Sequence, residues 1–257
     1  MSIHRMRTIA AGMTLALLLL TPHAAGQSTA DAAPAPPTSA IVLPAQLDLG
    51  AVVPAETTKG ELWLVNPTDA PVTVRSAKGS CGCIGLKRFR PVTLAPNQAH
   101  LVSFTMLAPK ADGLTKTKHV TFTVRGAPPI KVPVTITTDA TAETLRVEPV
   151  AEPRVRTVPS RIAYKPLSPG TKVETEVWLI NTSTEPLAFT GARSSCGCTT
   201  FVDAEPRTMA PGEATRFPIA ASAPKKAGKK RTVDMLFSFE GMEPVRVPLV
   251  MSAAAAE

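Results

Sequence analysis

A chain of 257 residues has room for one large domain or two small ones, and composition alone does not choose between them. Lysine and arginine number 28 against 20 acidic residues, a formal net charge of +8, which suits an anionic partner. The charges are nevertheless dispersed from Lys59 to Arg246. Only Lys225, Lys226, Lys229, Lys230 and Arg231 cluster, around Gly228 and without an aromatic residue to stack on bases. That segment reads as a solvated loop between strands, and nucleic-acid binding is not expected.

In chain order, residues 1–26 read as an export signal. Arg5 and Arg7 give a positive start, Ile9 to Leu20 an apolar stretch of about 12 residues, and Ala24-Ala25-Gly26 the small residues a signal peptidase requires. A spanning helix needs roughly 20 apolar residues, and Thr21-Pro22-His23 ends this run early, so cleavage near Gly26 is expected rather than a membrane anchor. The mature chain has no other stretch apolar enough to form a transmembrane helix. Residues 27–40, rich in Ala and Pro, read as a flexible tether.

Beyond the tether, the chain repeats itself. An offset of 115 residues aligns Val42 to Val134 with Thr157 to Leu249 without a gap, and about 27 positions are identical. Pro44 matches Pro159, Trp63-Leu64 matches Trp178-Leu179, Asn66 matches Asn181, Ala95-Pro96 matches Ala210-Pro211, and Val132-Pro133 matches Val247-Pro248. Two copies are too few for a solenoid, so each is expected to be a self-sufficient domain, at 41–138 and 154–253. Residues 139–153 form a semi-extended, hinge-like linker and 254–257 a tail.

Each copy reads as strands. Val120, Phe122 and Val124 alternate with polar residues, as do Val132, Val134 and Ile136. Met235, Phe237, Phe239 and Val245, Val247, Leu249 repeat the pattern. Period two marks strands with one face on a core and one on water. Turn signals separate them, notably Ala95-Pro96-Asn97 and Ala210-Pro211-Gly212, which suit a type II turn with positive φ at the third residue. About seven short strands per copy, with turns every 8 to 12 residues or so, specify an all-β chain of two tandem immunoglobulin-like sandwiches. Pro133 and Pro248 place the final strand of each copy at an edge or interrupt it. Trp63 and Trp178 read as core residues.

All four cysteines stand in matched positions, Ser80-Cys81-Gly82-Cys83 and Ser195-Cys196-Gly197-Cys198. The pattern of Trp-x-Val/Ile-Asn, a Pro-led strand, Ser-Cys-Gly-Cys-Thr and Ala-Pro-Gly-Glu resembles the bacterial exported family called domain of unknown function 1573. That family is itself similar to the sandwiches of hydin-type and major sperm protein-type proteins. Copy two fits through Thr199 and Pro211-Gly212-Glu213, whereas copy one departs at Ile84 and Asn97-Gln98. The resemblance implies an exported adhesive or scaffolding sandwich with no established catalytic activity.

Several chemistries use such a turn. A local disulfide is feasible because residues two apart can bring their Cα atoms within roughly 4.4 to 6.8 Å, with glycine easing the ring. Paired thiols can also serve redox exchange, although no helix start follows to lower a thiol pKa. As metal ligands, Cys81, Cys83, Cys196 and Cys198 would suit a two-thiolate Cu(I) site in each copy or one four-cysteine site shared by both. A repeated Cys-Cys-His site is excluded, because His100 and His119 align with Thr215 and Asp234. For the same reason no base serves a cysteine or serine nucleophile in copy two. No cofactor and no enzymatic activity are expected. Two readings follow: a periplasmic or extracellular binding or scaffold protein contacting a protein or an envelope polymer, and a thiol-redox or Cu(I)-handling module.

Overall fold

The structure is a computed structural model that describes residues 39–86, 88–142 and 153–255. The export signal, most of the tether and linker residues 143–152 lie outside the described residues. Among the described residues no helix is long and apolar enough to cross a membrane.

Copy one comprises β1 (Ile41–Leu43), β2 (Leu47–Val52), β3 (Thr57–Val65), β4 (Val72–Gly79), β5 (Ile84–Leu86), β6 (Val92–Leu94), β7 (Ala99–Leu107), β8 (Thr115–Val124) and β9 (Ile130–Thr138). Copy two repeats them as β10 (Val155–Val158), β11 (Ile162–Ala163), β12 (Lys172–Asn181), β13 (Leu187–Ser194), β14 (Thr199–Phe201), β15 (Arg207–Met209), β16 (Ala214–Ser222), β17 (Lys230–Phe239) and β18 (Val245–Ser252). Each copy stacks a four-stranded sheet, β1-β3-β7-β5 or β10-β12-β16-β14, on a five-stranded one, β2-β9-β8-β4-β6 or β11-β18-β17-β13-β15. The count exceeds seven partly because the first strand changes sheets at Pro44 and Pro159. β1 runs antiparallel to β3, and β2 then runs parallel to β9.

Side-chain parity builds the cores. Leu62 and Leu64, Val102, Phe104 and Met106, Val120, Phe122 and Val124, and Val132, Val134 and Ile136 all turn into the first sandwich. Copy two packs Phe189, Phe217, Phe237 and Phe239 ring to ring, with centroids 4.8 to 5.6 Å apart, among Val233, Met235, Val247 and Leu249.

The expectation that the final strand is an edge is corrected. β9 and β18 are interior to their sheets. Pro133 stands opposite His119 in the β8–β9 ladder, and both backbone polar groups of His119 point the other way, to Ser80. Pro133 and His119 are thus a non-hydrogen-bonded pair, where the absent N–H costs nothing on that side. On its other side β2 begins only at Leu47, opposite Val134.

Trp178 is buried, as expected of a core residue, and Trp63 is half-buried, but both lie between the copies and not inside either sandwich. The outer faces of the two four-stranded sheets meet, and Leu43, Val65, Ala99, Val158, Trp178, Ile180 and Ala214, with Ile41 and Trp63, form a third apolar cluster between the copies. All of its members but Ile41, whose counterpart is Arg156, are matched positions: 43 with 158, 63 with 178, 65 with 180 and 99 with 214. The Pro turns meet at its rim. Ala99 N–H donates to Gly212 O and Ala214 N–H to Asn97 O, both at 2.8 Å, and Gln98 bridges Glu213. Under the 115-residue offset the first two bonds exchange with each other and the Gln98–Glu213 bridge maps onto itself, so a local two-fold axis passes between Gln98 and Glu213. Across the seam Arg156 pairs with Glu61 at 3.4 Å.

The turns themselves have the expected form. Asn97 and Gly212 take φ of +59° and +74°, closed by Gln98 N–H to Ala95 O and Glu213 N–H to Ala210 O. Both are anchored on a fully buried asparagine. Asn181 Nδ2 donates to Glu185 O and Met209 O, and its Oδ1 accepts from Ser183 N–H and Oγ. Asn66 makes the equivalent four bonds in copy one.

Candidate functional site

The Cys-Gly-Cys turns carry the chain from β4 in the five-stranded sheet to β5 in the four-stranded one, and from β13 to β14 in copy two. Each is gripped from both sheets. Ser80 N–H donates to His119 O at 2.9 Å, and Ser80 Oγ accepts from His119 N–H at 3.0 Å. Ser195 makes the same reciprocal pair with Asp234, both bonds at 2.9 Å. On the other side, Cys83 O accepts from Leu107 N–H and Cys198 O from Ser222 N–H. The serine before each cysteine pair is thus a structural clamp between turn and strand. Its role is invisible until the partner strand is known.

Cys81 is bridged to Cys83 and Cys196 to Cys198, with Cα atoms 5.2 and 5.3 Å apart. All four cysteines are half-buried against the cores. Gly82 and Gly197 do not have positive φ, and a Cβ on either would meet nothing within 4 Å. The ring therefore places no steric demand for glycine, contrary to the reading that glycine eases it. Among the described residues no group of three or more His, Cys, Asp or Glu converges, so the shared four-cysteine metal site is not assembled.

The departure of copy one from the motif has a physical account. In copy two Ser194 Oγ lies 2.6 Å from Cys196 O and 2.9 Å from Thr199 O, its single proton shared between two turn carbonyls. In copy one the matched residues are Gly79 and Ile84. A Cβ on Gly79 would fall 2.7 Å from Ile84 Cβ, so the isoleucine occupies the space of the serine. One copy braces its turn by hydrogen bonds and the other by packing.

Around copy one the surface is concave. A hollow of about 530 Å³ lies over Lys59, Gly60, Glu61, Gly85, Leu86, Ser103 and Thr105. It meets a second, of about 450 Å³, at Ser103, where Arg88, Phe89, Arg90 and His100 form the wall. Phe89 stands edge-on to His100 and to Phe122, each at 6.5 Å. Burial holds the His100 imidazole below its usual pKa. At the matched positions of copy two the wall is Asp203, Ala204, Glu205 and Thr215, with Asp203 ion-paired to Arg207 at 2.6 Å. The sign of this wall reverses between copies.

Residues 157–247 match the family described as "Protein of unknown function (DUF1573)". Comparison with curated proteins found no match. Solved structures similar to the chain include a protein of unknown function from Porphyromonas gingivalis W83, 12% identical, covering 83% of this chain and 99% of that one at a TM-score of 0.32. The ASH / PapD-like domain 7 of human CEP192 is 15% identical, covering 45% and 98% at 0.33. The CupB2 chaperone of Pseudomonas aeruginosa is 12% identical, covering 82% and 98% at 0.30.

Proposed function

We propose that the chain, whose residues 157–247 match the family described as of unknown function, is an exported, non-enzymatic binding or scaffold protein of the cell envelope. The observation that carries this reading is the open groove along copy one. Two hollows share Ser103, and the first borders β5, a three-residue edge strand whose ladder partner among the described residues is β7. An exposed sheet edge offers backbone donors and acceptors to an extended partner, and the adjoining hollows offer side-chain pockets. Arg88, Arg90 and Lys59 favour a protein or envelope polymer that presents acidic groups. The test is capture from the native envelope with wild-type chain and with Arg88→Glu/Arg90→Glu. The variant is expected to lose the main partner, and identical capture by both would end this reading.

A second reading, thiol redox, is favoured by the half-exposed position of both local disulfides. Each closes a loop of only three residues and adds little chain-entropy stabilisation. Cu(I) handling would require both bridges reduced first. Copper uptake by the reduced chain, lost in Cys81→Ser and Cys196→Ser, tests that branch.

A further inference from the structure

A third hollow in copy one, about 230 Å³, is lined by Cys83, Met106, Leu107, Ala108, Pro109, Lys110, Lys116 and Lys118. Its chemistry follows from strand parity. On β8 the side chains of Val120, Phe122 and Val124 turn into the sandwich, and Lys118 and Lys116 continue the same face toward the open end. Lys118 thus holds a position where the repeat has a core residue. In copy two its match is Val233, fully buried, so there the core extends to this depth. Lys110 and Lys116 are exposed, as are their matches Lys225 and Arg231, so Lys118 is the cation that copy one adds. The substitution opens a small cation-walled chamber that ends at one half of a disulfide.

We propose that this chamber binds a small thiol carrying a carboxylate and delivers its sulfur to Cys83, making the first copy, but not the second, a site of thiol–disulfide exchange. The lysines hold the carboxylate. The thiolate of the bound molecule attacks Cys83 Sγ, an S–S bond forms between them, and the Cys81–Cys83 bond breaks with Cys81 leaving as a thiolate that takes a proton from water. A second thiol of the same class attacks the mixed disulfide, releasing Cys83 as its thiolate. The sum is two thiols oxidised to one small disulfide and one protein disulfide reduced to two cysteines. This site stands apart from the binding groove, and its test does not depend on any captured partner.

The experiment uses the full chain and its own second disulfide as the reference. The oxidised protein is treated with 3-mercaptopropionate, 2-mercaptoethanol or cysteamine, quenched, alkylated, denatured and digested with trypsin. Reduction is then read separately on peptides 79–87 and 194–207. Expressed as copy one over copy two, the rate is expected to be about tenfold higher with the anionic thiol than with the cationic one at low ionic strength, and to approach parity near 0.5 M salt. Lys118→Val, which installs the residue copy two already accommodates, is expected to remove the preference, and Lys118→Arg to keep it. The same ratio for all three thiols would overturn the proposal. A preference that survives Lys118→Val or high salt would overturn it equally.

Discussion

Gly60 and Phe104 face each other across the β3–β7 ladder, and their counterparts Thr175 and Ile219 do the same across β12–β16. The two pairs fill similar space in opposite ways. A Cβ at position 60 would lie 2.3 Å from Phe104 Cζ and within 2.9 Å of both neighbouring ring carbons. Phe104 is buried in one cluster with Leu62, Met106 and Phe122, so its ring must shift to admit the new Cβ. Gly60→Thr alone should therefore destabilise the chain by about 2 kcal/mol through overpacking. Phe104→Ile alone leaves the space above Gly60 empty and should cost about 1.5 kcal/mol. The double variant recreates the copy-two pair, and it should lie within about 1 kcal/mol of wild type, a coupling of about 2.5 kcal/mol. Urea unfolding followed by the fluorescence of Trp63 and Trp178, with linear extrapolation, measures all four corners of the cycle. Costs that add to within about 0.5 kcal/mol would refute the idea that these residues share one volume.

The buried asparagine gives a second prediction. Asn181→Ala removes four hydrogen bonds and strands the buried Met209 carbonyl, so a loss of about 3 kcal/mol is expected, seen as a lower urea midpoint with unchanged slope. His100 gives a third. Its pKa is lowered in the folded chain, so between that value and 6.5 the unfolded chain binds more protons and stability rises with pH. Wild type should lose stability as pH falls below about 6.5. His100→Thr, the copy-two residue, should be flatter over the same range, and equal slopes would remove His100 from the account. The fourth concerns the seam. Residues 154–257 alone expose Val158, Trp178, Ile180 and Ala214, so the fragment should fold cooperatively yet self-associate, and Trp178→Glu should return it to a monomer in sedimentation. A wild-type fragment that stays monomeric at high concentration would contradict a strong apolar seam.

Much of this fold was legible because each buried face repeats at period two. The β8 and β9 residues that pack in copy one are those whose alternation marks them in the sequence, and the φ values of Asn97 and Gly212 are those the Pro turns require. The tryptophans were legible as packing residues, but not what they pack against. Leu62-Trp63-Leu64-Val65 and Val177-Trp178-Leu179-Ile180 are apolar at both parities, the signature of a strand covered on two faces, and the second cover is the other copy. The cysteine turns were visible as a motif. Their clamp was not, since Ser80 and Ser195 act on His119 and Asp234, 39 residues away in sequence. Nor does the exchange of Ser194 and Thr199 for Gly79 and Ile84 read as compensation until the two positions are known to touch.

The axis between Gln98 and Glu213 also bears on stoichiometry. A homodimer built around such an axis must present two identical sites, whereas one chain that folds onto itself this way keeps the dimer's geometry without that obligation. Its two cysteine turns stand in equivalent positions with different supports. One is braced by Ser194 and ends on a closed core at Val233, and the other is packed by Ile84 and opens onto Lys118. A two-fold symmetric ligand would therefore meet unlike halves.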